Sequence, residues 1–313
     1  MLRFQASWLL ESVNEIDSVE SVFFPVFHWF SAFSWLSRRE ISLSLNSPID
    51  SQAMLARAWV ACQAGGLSEK NRGKFNQKLQ NQLEADANPF RSWKDRLFDA
   101  RQLDYLFYWR EAAYEIEDVE QREIFWSLVY HIMSYWLATR KFKPEGSLAP
   151  DEMMDVYINR HRDFLKGQNG HLEVFNLPLA DLVAPRYNSL TVFPLIFDDD
   201  ESAESELQAV FHAWYHGHDD FEAARRELKT LLRPILLTIG GANDCTIFSR
   251  LASQARMAAI TWSGRDLPPK LYEQELVEPF RKEFAAQFRN SRLFLKNVDR
   301  SADAYDYLLI FHN

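Results

Sequence analysis

Glycine is scarce in this chain: ten in 313 residues, the first of them Gly65, is about half the usual ~7% share. A loop that cradles phosphate needs backbone free of Cβ and able to adopt positive φ. The candidates reduce to Gly65-Gly66, Gly167 with Gly170, and Gly240-Gly241, and none forms a dinucleotide-binding or Walker sequence. Cysteine is scarcer still. Cys62 and Cys245 alone exclude a thiolate zinc cage, argue against a disulfide scaffold and fit a reducing compartment. There is no excess of basic charge either, the formal net charge being -9 with a pI near 5.5. That excludes a global electrostatic pull toward nucleic acid or anionic membrane, and any nucleic-acid contact has to be local. No stretch reaches the ~18 apolar residues of a membrane span, and no leader pattern opens the sequence. A soluble, cytoplasmic protein is expected.

What the chain has in quantity is aromatic side chains, at 14%, within a hydrophobic content of 47%. Two short β-like runs, residues 21–25 and 41–45, flank an aromatic helical segment at 27–37, which reads as a β-α-β opening. Asp50 is placed to cap a helix that runs to the Gly65-Gly66 stop. From there to about residue 150 the periodicity is that of long amphipathic helices. Beyond a further helix at 151–166, β-like segments at 171–175, 190–197, 234–239, 257–262 and 307–311 alternate with helical ones at 204–216, 221–232, 246–254 and 271–288. Such alternation predicts an α/β fold with a mainly parallel sheet. The expected division is a first sheet part at 1–64, a helical insertion at 65–150 and a second sheet part at 151–313.

The run Phe24-Pro25-Val26-Phe27-His28-Trp29-Phe30 is the most telling. It occupies a strand-to-helix turn where a cofactor-binding sheet carries glycines, and bulky rings there fill the space that ribose or phosphate would need. The order of elements resembles the DNA adenine-N6 methyltransferases, a Rossmann-like, S-adenosylmethionine-dependent family with a helical target-recognition insertion after the second strand and helix. That family's Asp-Pro-Phe-x-Gly-x-Gly turn keeps only Pro25 here. Its Asn-Asp-x-Asn-Pro, whose acid holds the cofactor ribose, is matched by Ser44-Leu45-Asn46-Ser47-Pro48, and Leu45 offers no acceptor. Its catalytic Asp-Pro-Pro-Tyr aligns with Pro194-Leu195-Ile196-Phe197, without the acid. Residues 172–176 resemble its third strand and turn, 233–238 its fifth strand and 306–311 its closing strand. The resemblance therefore implies a pseudoenzyme: no bound cofactor, no catalytic residue, and degenerate positions at Phe24, Pro25, His28, Phe30, Leu45, Pro194 and Phe197. A structural or recognition subunit of a DNA-modification or defence-type assembly, with a protein partner, is the role it implies. An active but divergent methyltransferase would need a ribose acid from elsewhere, and Glu40 and Asp50 flank the second strand.

Three polar clusters offer other chemistry. His212 and His216 stand four apart on one helical face, and His218 and Asp219 follow, a donor set suited to zinc or another divalent metal and so to a hydrolase or nuclease. Capping accounts for the same residues without a metal: histidines favour a helix C-terminus, Gly217 suits the C-cap and Asp219 the next N-cap. Asp198 to Glu201, with Glu204 and Glu206, form an acidic run that reads as a solvated loop entering a helix and would repel a phosphate backbone. Between Glu69 and Arg101, eight basic residues (Lys70, Arg72, Lys74, Lys78, Arg91, Lys94, Arg96 and Arg101) outnumber five acids. All but Arg101 are candidates for phosphate contact from the helical insertion, against the plainer reading of a solvated mixed-charge face. The aromatic residues Tyr105, Phe107, Tyr108, Trp109, Trp126, Tyr130, Tyr135 and Trp136 are too many for one helix face, and a core or a protein-docking surface suits them better than base stacking. Cys62 and Cys245 fall within apolar patterns and read as inert core thiols.

Overall fold

The computed structural model describes residues 6–27, 41–64, 66–72, 88–139, 156, 159, 171–186, 188–197, 203–233, 236–237, 245–265, 273–299 and 304–313. In chain order the elements are α1 (Ala6–Asn14), β1 (Ser21–Phe24), β2 (Ser42–Asn46), α2 (Asp50–Ala64), a 3-10 turn (Pro89–Trp93), α3 (Ala100–Tyr114), α4 (Val119–Thr139), β3 (Leu172–Phe175), β4 (Asn188–Pro194), β5 (Ile196–Phe197), α5 (Ala203–His216), α6 (Phe221–Leu232), β6 (Leu236–Leu237), α7 (Thr246–Ala252), β7 (Ala255–Arg265), a π turn (Glu273–Val277), α8 (Glu278–Phe284), β8 (Asn290–Asp299) and β9 (Ala304–His312). By contact the chain divides into two compact units. One comprises Met1–Ile49, Gly167–Asp200 and Leu231–Asn313, the other Asp50–Lys166 and Glu201–Thr230. This partition groups α2, α5 and most of α6 with the helices of the 65–150 region.

The first unit is built on a seven-stranded mixed sheet in the order β3-β2-β1-β4-β7-β9-β8, an α/β arrangement compatible with a Rossmann-like fold. The pairs β1 with β2, β1 with β4, β2 with β3 and β4 with β7 are parallel, and β9 runs antiparallel to both of its neighbours. Central parallel strands are covered on both faces, so they read as continuous apolar runs rather than alternating ones. Val22, Phe23 and Phe24 are accordingly buried in β1, and every residue of β4 is buried. Where polar residues enter β4 they are matched locally: Asn188 donates from Nδ2 to Thr191 Oγ1 at 2.6 Å and accepts the Leu190 N–H at 2.9 Å. Trp262 on β7 stacks on Tyr307 on β9 at 5.1 Å between ring centroids, and both are buried. Helix α7 packs against β4, β7 and α8.

Two expectations are corrected here. The run at 233–238 does not supply the fifth strand of the main sheet. Leu236 and Leu237 pair with Ile196 and Phe197 in a separate two-stranded sheet, and the place beside β4 is taken by β7, which pairs from Asn188 with Ala255 to Pro194 with Thr261. An apolar run of that length is compatible with any buried strand, and only the longer β7 can pair along all of β4. The second departure is β8, which forms a hairpin with β9 from a stretch read as carrying no element. The helical segment expected at 271–288 forms over its described residues as a π turn followed by α8, whose first turn holds Pro279, a position that tolerates the missing N–H. Helix α1 was not anticipated.

In the second unit the aromatic residues form a core. Trp109 is fully buried and stacks on Trp136 at 5.6 Å with an interplanar angle of 14°, while Tyr108, Trp126 and Tyr130 are buried as well. Tyr105, Phe107 and Tyr135 are half-buried. The Asp99 carboxylate caps α3 in a reciprocal pair with Gln102. Buried polar groups link the helices: Trp214 Nε1 on α5 donates to the Leu106 carbonyl at 2.8 Å, Arg110 Nε on α3 donates to the Trp214 carbonyl at 2.9 Å, and Arg57 on α2 pairs with the buried Glu123 on α4 at 2.7 Å. No helix among the described residues is long and apolar enough to cross a membrane.

Candidate functional site

In an open α/β sheet, ligands bind beyond the carboxyl ends of the strands, where the strand order reverses. Here that edge follows β1, β2 and β4. Pro25 is buried, and Val26 and Phe27 are 1% and 3% exposed. Leu45 is fully buried at the position the resemblance assigns to a ribose acid, Pro194 is buried in β4, and Leu195 behind it is 4% exposed. Phe24 is buried within β1. Phe197 lies in β5. His28, Trp29, Phe30 and Glu40 lie outside the described residues.

Two polar side chains among the described residues are buried at this edge, Asn46 and Ser47; Ser47 Oγ accepts the Ile49 N–H at 3.2 Å, and Asn46 is engaged with backbone. Asn46 Nδ2 donates to the Pro25 carbonyl at 2.9 Å and to the Leu177 carbonyl at 3.1 Å, and its Oδ1 accepts the Leu177 N–H at 3.0 Å. Its own carbonyl accepts the Phe27 N–H at 2.9 Å. Asn176 Nδ2 adds a bond to the Ser47 carbonyl at 2.8 Å. The segments that leave β1, β2 and β3 are thereby tied to one another through an amide whose donors and acceptor are all spent.

A second constellation lies wholly within the helical unit. His212 and His216, one helical turn apart on α5, present their rings 4.5 Å apart, and Asp50 in the first turn of α2 joins them. Asp50 Oδ1 lies 3.1 Å from His216 Nε2 and 3.8 Å from His212 Nδ1. One donor atom from each of the three residues falls within 4.8 Å of the others. His212 is 1% exposed. Its Nδ1 stands 3.0 Å from Ser51 Oγ, and its Nε2 faces Glu227 Oε2 at 3.7 Å, too far for a hydrogen bond. Desolvation, and then the neighbouring His216, hold His212 below the ordinary imidazole pKa. The hydrogen bond with Asp50 lifts His216 above it. Burial by itself would raise the Asp50 carboxyl, but the bond and charge of His216 and the Ser51 N–H together bring it below the usual value. Burial also pushes the neighbouring Tyr215 phenol up to about 12.

The structure therefore gathers two of the four metal candidates read from the sequence, and adds a carboxylate that lies 166 residues away from His216. Asp50 carried only the signature of a helix cap, so no local pattern could reveal its partners. His218 is exposed and stacks beside His216 at 5.9 Å between ring centroids, outside the donor group. Asp219 contributes its backbone: the carbonyl accepts from Ser92 Oγ at 3.0 Å and from Trp93 Nε1. Gly217 caps α5 as expected, at φ +76°, with its N–H on the Trp214 carbonyl and the His218 N–H on the Ala213 carbonyl. The N-cap of α6 is Asp220 rather than Asp219, because Asp220 Oδ1 accepts the Ala223 N–H at 2.9 Å.

Of the candidate phosphate contacts, Lys70, Arg91 and Lys94 are exposed and Arg72 is half-buried. Arg96 is engaged, with its guanidinium 2.8 Å from Glu222 and 4.5 Å from the Phe221 ring centroid. Lys74 and Lys78 lie outside the described residues, as do Asp198 to Glu201 of the acidic run, while Glu206 is half-buried on α5. Cys245 is buried at the start of α7. No protein-family model matches the chain, and no curated protein matches it significantly.

Proposed function

We propose that this chain is a methyltransferase-like α/β protein that works without S-adenosylmethionine, as a structural or recognition subunit. The observation that carries this reading is the packing at the carboxyl edge: Val26, Phe27, Leu45 and Leu195 are buried where a cofactor would need glycine backbone and a carboxylate. Asn46, a polar side chain buried there beside Ser47, spends both its N–H donors and an acceptor on Pro25 and Leu177. The sheet supports the comparison, being parallel from β3 through β7 with its closing strand inserted antiparallel before the edge. The motif positions alone suggest a DNA-modification or defence-type assembly, with a protein partner and any DNA contact made through the helical region that bears Lys70 and Lys94. Isothermal titration of the purified full chain with S-adenosylmethionine tests the reading. No binding heat is expected, and micromolar affinity would overturn it.

A further inference from the structure

We propose that Asp50, His212 and His216 form a binding site for a divalent transition-metal ion of the zinc type, with Glu227 orienting one of its ligands. Zinc takes imidazole nitrogen and carboxylate oxygen at ~2.0–2.2 Å, so neighbouring donors on a tetrahedral ion stand about 3.3–3.6 Å apart. The two separations from Asp50 Oδ1, 3.1 Å to His216 Nε2 and 3.8 Å to His212 Nδ1, bracket that spacing. Closing around an ion requires the donor atoms, all within 4.8 Å of one another, to draw together. The donor set, two imidazoles and one carboxylate, suits zinc better than calcium or magnesium, which prefer oxygen.

An independent observation concerns the far side of His212. Its Nε2 is buried, makes no hydrogen bond among the described residues, and points at Glu227 Oε2 from 3.7 Å. A metal-bound histidine characteristically donates its other N–H to a carboxylate, which fixes the tautomer and strengthens the ligand. With Nδ1 on the ion, the proton of His212 resides on Nε2, and a small movement of the exposed Glu227 side chain completes that pair. Ser51 Oγ, now 3.0 Å from Nδ1, rotates to another staggered position and gives up the nitrogen. The ion would take the place of the hydrogen between His216 Nε2 and Asp50 Oδ1. Three protein ligands leave a fourth position for water or a further ligand, and two of the three side chains, Asp50 and His216, are 42% and 32% exposed. The ion would pin the first turn of α2 to the last turn of α5, joining the two chain segments that make up the helical unit.

The test is zinc binding by the full chain, stripped with a chelator and then titrated in competition with a chromophoric chelator at pH 7.5. Asp50→Asn and His216→Ala are the informative variants, because both side chains are partly exposed and circular dichroism can verify that the helices persist. The wild type is expected to bind one zinc ion per chain, each variant to bind at least about 100-fold more weakly, and Glu227→Gln about 10-fold more weakly. Absence of stoichiometric binding by the wild type would overturn the proposal, as would unweakened binding by either ligand variant.

Discussion

Replacing Asn46 by alanine tests whether the carboxyl edge of the sheet is a structural strut. The side chain is fully buried and makes three hydrogen bonds, two to Leu177 and one to Pro25. Leu177 is 40% exposed, so water can replace its two lost partners, and each of those losses costs about 0.5–1 kcal/mol. The Pro25 carbonyl belongs to a buried residue, and an orphaned buried acceptor costs roughly 1–3 kcal/mol. Together these place Asn46→Ala at about 3 kcal/mol of lost stability. Asn46→Asp should cost more at neutral pH, because a carboxylate cannot donate to the two carbonyls it would face. The difference between the two variants should shrink in acid, where the protonated aspartic acid regains one donor. Urea denaturation at pH 7.5, followed by far-ultraviolet circular dichroism, gives the comparison from the midpoint at constant slope. A loss below about 1 kcal/mol for Asn46→Ala, or an aspartate variant as stable as the alanine one, would refute the strut.

Gly217→Ala should destabilise by at least about 1 kcal/mol, since an L-residue at positive φ carries that strain; the new Cβ would also stand 2.5 Å from Arg110 Nη2 at φ +76°. Thermal melts read the loss, and a double-mutant cycle with Arg110→Ala, which by itself loses the bond to the Trp214 carbonyl, isolates the steric part. Trp109→Ala removes a fully buried ring stacked on Trp136 and should cost about 3–5 kcal/mol, measured by urea denaturation; a change under 1 kcal/mol would mean that the aromatic core is not as packed as described. Burial, and then Tyr305, raise the pKa of the Tyr307 phenol. The folded state therefore favours the neutral form, and its contribution is intact below the unfolded value near ~10 and is lost as pH rises from there toward the folded value. Tyr307→Phe should flatten that alkaline decline in stability, and an unchanged pH profile would contradict it.

The alternation of apolar runs and helical periods predicted the α/β class and the mainly parallel sheet, because central strands must be apolar on both faces and helices must show a 3.6-residue period. Helix α6 was legible to the residue, with Gly217 ending the helix before it. What failed was choice among equivalent apolar runs. Residues 233–238 and 255–265 look alike locally, and only the pairing of β7 along β4 and β9 separates them. Strand β8 escaped because Asn290–Asp299 is half-exposed along much of its length and carries charged residues. In the candidate site, the i, i+4 relation of His212 and His216 was visible, whereas Asp50 was joined to them only by the packing of α2 against α5.

That packing bears on the competing reading of an active but divergent methyltransferase. Asp50, four residues beyond the end of β2, is one of the two acids that flank this strand in sequence. A ribose acid has to present free carboxylate acceptors to two hydroxyls. In this chain Asp50 Oδ1 accepts the Ser51 N–H at 2.7 Å and contacts His216 Nε2 at 3.1 Å, and His216 is held more basic than an ordinary histidine by that contact. Releasing the carboxylate to a ribose would forfeit its bonds to His216 and to the Ser51 N–H, a loss of about 1–2 kcal/mol for groups this exposed. The ribose hydroxyls would have to return at least that much before any affinity appeared. An ion bound between Asp50 and the two histidines would raise that cost further, so introducing S-adenosylmethionine binding should require a new acid at Leu45 together with glycine backbone after β1, rather than any adjustment of Asp50.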